Sequence, residues 1–256
     1  MEDSFLSYIF PSDDLTILTF MMGTFFVSGI VKGFLGIGLP AAAMALLTLV
    51  VSPTYAISLL VVPILFTNLS QYMRSKHRAE SFQNFWVLGA AILVSIFITS
   101  LFIASYPTAF LTISIGVAMI IVALNGLIGL KFSIGSGVTW QLGFGIISGV
   151  LGGVSSIWSP PVAMYLIARG IDKERFISAT GFLFLVGALP LALGLYFGGI
   201  LTFQILLQSG FGLVIVLLGF RVGELLRARV TQAWFEKAVL IAFFFMGVRL
   251  VAVGIF

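Results

Sequence analysis

Apolar residues run in long blocks from Leu15 to the C-terminus, separated by short clusters of polar or helix-breaking residues. A block of about 20 residues makes an α-helix long enough to cross a hydrocarbon core of about 30 Å. The pattern predicts ten segments, five in each half of the chain. They cover about 15–31, 41–51, 54–72, 85–105 and 108–130, and then about 139–153, 160–169, 176–197, 200–221 and 234–254. The second segment of each half is too short to span, and Gly, Pro and Ser separate it from the first. Interrupted backbone at membrane depth needs protein or a water-filled cavity to satisfy its freed N–H and C=O groups, so both breaks are expected in the interior. The pattern leaves open whether each short pair is a re-entrant hairpin or two tilted crossings.

The halves also align locally. Gly29-Ile30-Val31-Lys32-Gly33-Phe34-Leu35-Gly36 matches Gly145-Ile146-Ile147-Ser148-Gly149-Val150-Leu151-Gly152 in register, which marks an internal repeat. Both copies carry the Gly-x-x-x-Gly spacing that lets membrane helices approach closely. Basic residues give the orientation, because short cytoplasmic loops collect Lys and Arg. Arg74, Lys76 and Arg78 fall in one loop, Arg169, Lys173 and Arg175 in another, Arg221, Arg227, Arg229 and Lys237 around a third, and Lys131 in the central linker. Placing these inside puts both termini outside. Five segments per half is an odd number, so the second half inserts upside down. The expected fold is therefore an all-α integral membrane protein, an inverted-topology repeat of two five-segment halves with discontinuous or re-entrant helices at the breaks. It forms one transporter domain: an extracytoplasmic segment 1–14, a first repeat 15–131 and a second repeat 132–256. Such folds hold substrate near the midplane, where broken helices of the two halves meet.

Composition narrows the function. The 256 residues are 60% hydrophobic and 9% charged, with a mean hydropathy of +1.20, which leaves no room for a soluble domain. The acidic opening, with Glu2, Asp3, Asp13 and Asp14, is unlike a cleavable signal peptide, so the first helix is expected to be retained. Lack of cysteine excludes disulfides and thiolate metal sites. Loop topology accounts for the net charge of +4 without a nucleic-acid partner. There is no Ser, His and acid set, no HExxH and no intramembrane carboxylate pair, so neither an enzyme nor a cofactor or metal is expected.

The Gly-rich break followed by proline, Gly33-Phe34-Leu35-Gly36-Ile37-Gly38-Leu39-Pro40, resembles the first-half motif of the TauE/SafE family of membrane permeases. Gly145 to Gly153, then Pro160-Pro161 with Tyr165-Leu166, then Gly170 and the turn Asp172-Lys173-Glu174-Arg175-Phe176, resembles its second-half signature. The resemblance implies a multi-pass protein of the prokaryotic inner membrane that moves small anions, with sulfite and organosulfonates such as sulfoacetate as expected substrates. The chain departs from the family at Ser155-Ser156-Ile157-Trp158-Ser159, where further glycines are usual.

The candidate substrate residues cluster at the breaks: Lys32, Gly36, Gly38 and Pro40 at the first, and Gly152, Ser155, Ser156, Trp158, Ser159 and Pro161 at the second. Half-helices starting near Pro40 and Pro161 would point unpaired N–H groups and partial positive charge at an anion. An ionisable side chain inside a membrane segment normally has a functional partner; for Lys32 the competing reading is snorkelling to the cytoplasmic interface. The serines and Trp158 offer donors to oxyanion oxygens, or else cap the backbone. Asn68 and Gln71, three apart on one segment, either line the cavity or bond between helices, and the same choice applies to Asn125. Arg249 reads as an interfacial anchor and His77 as solvated. Every Asp and Glu falls in a terminus or predicted loop, which disfavours proton coupling through a buried carboxylate. The expected partners are a small anion and the lipid bilayer, with a coupling ion, and with monomer or homodimer, left open. A channel, or a membrane scaffold without transport, is the alternative function.

Overall fold

The computed structural model describes residues 15–129, 135, 137–227, 229 and 232–256; the predicted extracytoplasmic segment 1–14 and Lys131 lie outside the described residues. The described chain is helical, without strands. In order come α1 (Leu15–Leu35), α2 (Leu39–Leu47), α3 (Pro53–Leu59), α4 (Val61–Arg74), α5 (Arg78–Leu101) and α6 (Thr108–Ile128). They are followed by α7 (Val138–Ser155), α8 (Ser159–Ala168), α9 (Lys173–Phe197), α10 (Phe203–Arg227) and α11 (Gln232–Ile255). Counting α3 and α4 as one span, Pro53–Arg74, eight stretches among the described residues are long and apolar enough to cross a membrane. The protein is a multi-pass membrane protein.

Local chemistry explains where the helices begin and stop. Pro53 opens α3 behind Ser52, whose side chain accepts from the Tyr55 N–H, and Asp172 caps α9 by accepting from the N–H groups of Glu174 and Arg175. Proline also divides the third span. Pro63 cannot bond the Leu59 carbonyl four residues back, and the helix resets at Leu60 between α3 and α4. Ser209 of α10 repairs the gap: its Oγ donates to the Leu59 carbonyl at 2.7 Å and accepts from the Val62 N–H at 3.0 Å.

Helix pairing is dense and involves both halves. α1 lies along α10, α7 along α5, α9 along both α4 and α5, and α6 along α11. Glycine lets several of these pairs close, α1·α10 and α7·α5 among them. A Cβ on Gly33 would sit 2.2 Å from the Phe220 carbonyl oxygen, and one on Gly219 would sit 2.0 Å from that of Phe26. In the α7·α5 pair, Gly145 approaches Leu88 and Ala91, Gly149 approaches Ile92 and Ser95, and Gly153 approaches Ile96 and Thr99, so α7 and α5 run parallel. The motif repeated in sequence is thus the contact surface in each half.

Burial is inverted relative to a soluble protein. Phe26, Trp86, Ile147, Leu193 and Phe245 are exposed, whereas Lys32, Thr67, Asn68, Ser148, Ser155, Ser156, Thr180, Gln208 and Ser209 are buried. With hydrocarbon outside, apolar side chains lose nothing by facing outward, and polar groups find their partners inside.

Candidate functional site

Both predicted interruptions exist. α1 stops at Leu35, and Gly36 and Gly38 take left-handed φ values of 82° and 93° before α2 starts at Leu39 with Pro40 in its first turn. α7 stops at Ser155, Ser156 takes φ 61°, and α8 starts at Ser159 with Pro160 and Pro161 in its first turn. Relative to the aligned repeat, α7 makes one more turn before it breaks. Residues 36–38 are half-buried and residues 156–158 buried.

At the first break the Lys32 side chain turns inward. The residue is 2% exposed, and its ammonium donates to Asn68 Oδ1 on α4, while Asn68 Nδ2 donates to the Ile64 carbonyl at 2.8 Å. Burial at this level is not snorkelling. One turn further along α4, Gln71 Nε2 donates to the Ile177 carbonyl at 2.8 Å and to Thr180 Oγ1 at 3.1 Å, tying the first half to α9. Asn68 and Gln71 therefore make interhelical bonds, and Gln71 also lines a cavity.

That cavity, about 750 Å³, reaches Gly36, Thr67, Ser70, Gln71 and Ile177 at its inner end and Arg74, Lys76, His77, Glu174, Arg221 and Glu224 at its mouth. Arg221 is paired with Glu224 at 3.2 Å, and His77 faces Glu80 at 3.1 Å and Glu174 at 3.7 Å. His77 is thus engaged, contrary to the solvated reading. Arg175 continues the chain of charges, reaching Glu80 at 3.2 Å and Asp172 at 3.4 Å. The Asp172 carboxyl is held below its ordinary range, first by the Arg175 N–H it accepts and then by the neighbouring positive charges. Glu80, Asp172 and Arg175 border a second cavity of about 480 Å³ beneath Ser81, Gln141 and Tyr165. The ion pairs therefore stand between two openings at the basic face.

The second break is built differently. Ser155 serves the backbone: its Oγ donates to the Leu151 carbonyl at 2.6 Å and accepts from the Ile157 N–H at 3.1 Å. Ser159 opens α8 behind the N-cap residue Trp158, whose side chain makes no cap. Pro160 and Pro161 delete two of the N–H groups expected to point from α8 at an anion, so donors there come from side chains. Ser156 Oγ and Trp158 Nε1 are buried without a partner, and Trp158 packs edge-on to Phe184 at 6.1 Å.

The two breaks do not meet. The Gly36 position is 4.0 Å from Ile177, and the Trp158 ring is about 3 Å from the Gly187 position. Those contacts are ten residues apart on α9, about 15 Å along its axis. Lys32, Gly36, Asn68 and Gln71 form one group and Gly152, Ser156 and Trp158 another. Gly38 and Pro40 shape the first turn, and Pro161 the second.

The sequence model of the family described as Sulfite exporter TauE/SafE matches residues 21–250, nearly the whole chain. This chain belongs to the TauE/SafE family. As a TauE/SafE protein it is a membrane transporter of the sulfite and anion exporter type and not an enzyme. The family typically resides in the prokaryotic inner membrane. No curated protein and no solved structure matches the chain. Sequence reasoning missed two features of this TauE/SafE chain. One is Ser148, buried with an unpartnered hydroxyl, which the repeat already aligned with Lys32. The other is the ion-pair chain from His77 to Arg175, in which the local pairs His77–Glu80 and Asp172–Arg175 are joined across the fold by Arg175–Glu80 and His77–Glu174, and those long-range links are not visible in the sequence. Arg249 is exposed.

Proposed function

We propose that this protein exports sulfite or an organosulfonate such as sulfoacetate by alternating access between two inverted halves, 15–131 and 132–256, with both termini extracytoplasmic. The observation that carries the reading is the buried Lys32 ammonium on Asn68, one turn from the Gly36 end of a cavity whose mouth is basic. A fixed positive charge in a water-poor setting favours an anion far more than the same charge in water. Exchange symmetry supports the inverted repeat: swapping α1 with α7, α5 with α10, and α6 with α11 maps α1·α10 onto α7·α5 and α6·α11 onto itself.

The membrane potential suffices as driving force, since it supplies about 2.3 kcal/mol per charge per 100 mV in the outward direction. That corresponds to about fiftyfold accumulation outside. The test is flux of labelled sulfite, sulfoacetate and a carboxylate control in proteoliposomes at clamped potential. Saturable flux of the sulfur oxyanions, accelerated by potential, is expected. Absence of all such flux, or movement only under an imposed cation gradient, overturns respectively the transport reading or its potential-driven form.

A further inference from the structure

Among the described residues, three buried side-chain donors have no hydrogen-bond partner: Ser148 Oγ, Ser156 Oγ and Trp158 Nε1. The serines are 0% exposed and Trp158 is 2% exposed. Buried polar groups are nearly always bonded, so each exception demands a cause. Two of them are grouped: Ser156 takes the left-handed turn just past the end of α7 at Ser155, and the Trp158 side chain folds back over Gly152, one turn before it. Ser148 lies a further turn back on α7, about 12 Å along the axis from Ser156. The Trp158 Cβ and Cε3 lie 2.8 and 3.0 Å from where a Gly152 Cβ would be, and its Nε1 lies 3.1 Å from the corresponding point on Gly187. The indole is seated between two glycines, and any larger residue would displace it. Among the described residues, Ser156 is also the one non-glycine with positive φ, a strained conformation of the kind found at ligand sites.

Charge separates this group from the first break. From Val138 to Ala168 the chain contains no Asp, Glu, Lys, Arg or His. The aligned repeat nevertheless puts Ser148 where the first half has Lys32. One register position thus holds a buried cation in one half and a buried neutral donor in the other.

We propose that Ser156 and Trp158 form a second, uncharged station that takes the oxyanion head group of the transported solute through neutral donors. This station rests on the oxyanion-transport reading above and adds a second place of binding, about 15 Å along α9 from the first. Hydroxyl and indole N–H groups bond a charged oxygen more strongly than a neutral one, so an oxyanion satisfies both donors, which no group of the protein reaches among the described residues. Without a lysine the station holds its ligand less firmly than the Lys32 end does, and transport requires sites that release as well as bind.

The experiment uses the full chain in proteoliposomes with labelled sulfite and ethanesulfonate, comparing wild type with Trp158→Phe and Ser156→Gly. Trp158→Phe keeps a ring over Gly152 and loses the N–H. Ser156→Gly removes a hydroxyl at a left-handed position that glycine adopts freely, and it decides the matter if the Trp158 variant misfolds. Loss of one donor to a charged oxygen is expected to raise KM about tenfold. The ligand-free thermal midpoint stays level or rises, because no existing bond is lost and, in Ser156→Gly, left-handed strain is relieved. KM within about twofold of wild type in both variants overturns the station, and water then satisfies the donors. Wild-type protein that moves no oxyanion sinks the transport reading and the station with it.

Discussion

Lys32 concentrates the residue-scale problem, because an ammonium at this depth costs about 2.5 to 3.5 kcal/mol on insertion scales and yet is held at 2% exposure. A structural role alone gives little return for that cost: apolar residues of similar volume in place of buried charges are often neutral or stabilising. Lys32→Met removes that cost but leaves Asn68 Oδ1 buried without its donor, which costs about 1 to 3 kcal/mol, so the thermal midpoint in detergent is expected to move little while sulfite flux falls at least about tenfold, the equivalent of about 1.4 kcal/mol. Unchanged flux would leave the ammonium with no part in transport. Lys32 and Asn68 were both visible in sequence, since a charge or an amide stands out in an apolar run. Their pairing was not, because it depends on how α1 and α4 are rotated. Ser155 and Ser156 looked equivalent in sequence, but only the first bonds the backbone, and the difference follows from which residue takes the left-handed turn.

At the scale of elements, the predicted segments and breaks all correspond to helices and interruptions, but the ends differ for a physical reason. Apolarity marks the hydrocarbon core, whereas helices continue into the interface. α5 accordingly starts at Arg78, seven residues before its apolar run, and α10 continues to Arg227. Pro63, which divides the third span at Leu60, stands in plain view in the sequence, but the repair was illegible because Ser209 lies about 150 residues away. Glycine positions were legible and their partners were not. On α1 the Gly33 position meets the α10 backbone at 2.2 Å, whereas Gly23 has nothing within 4 Å. Backbone cannot move aside as a flexible side chain can, so Gly33→Ala should destabilise by about 1 to 3 kcal/mol. Gly23→Ala on the same helix should be neutral or slightly stabilising through helix propensity. Thermal denaturation of the two variants side by side is the measurement, and equal midpoints would refute close α1–α10 packing.

For the whole molecule, the distribution of charges along the chain implies a sided machine more than a symmetric one. Two stations offset along α9, with a basic cavity mouth near only one of them, make approach to Lys32 electrostatic and approach to Trp158 not. Within the mouth, Arg221 is matched by Glu224, and His77 lies between Glu80 and Glu174. Arg74 and Lys76 have no ion-pair partner among the described residues, and both are exposed at the cavity rim. They supply the uncompensated field that draws an anion in. Such steering weakens with salt, because the Debye length falls from about 10 Å at 0.1 M to about 3 Å at 1 M. The double variant Arg74→Gln/Lys76→Gln should therefore raise KM about three- to tenfold for solute presented at the basic face in low salt. The gap from wild type should close near 1 M salt, and KM for solute presented at the opposite face should not change. Oriented vesicles assayed at two ionic strengths read all of this at once. A salt-independent loss equal from both faces would mean that these residues act on the transport cycle itself and not on the approach of the solute.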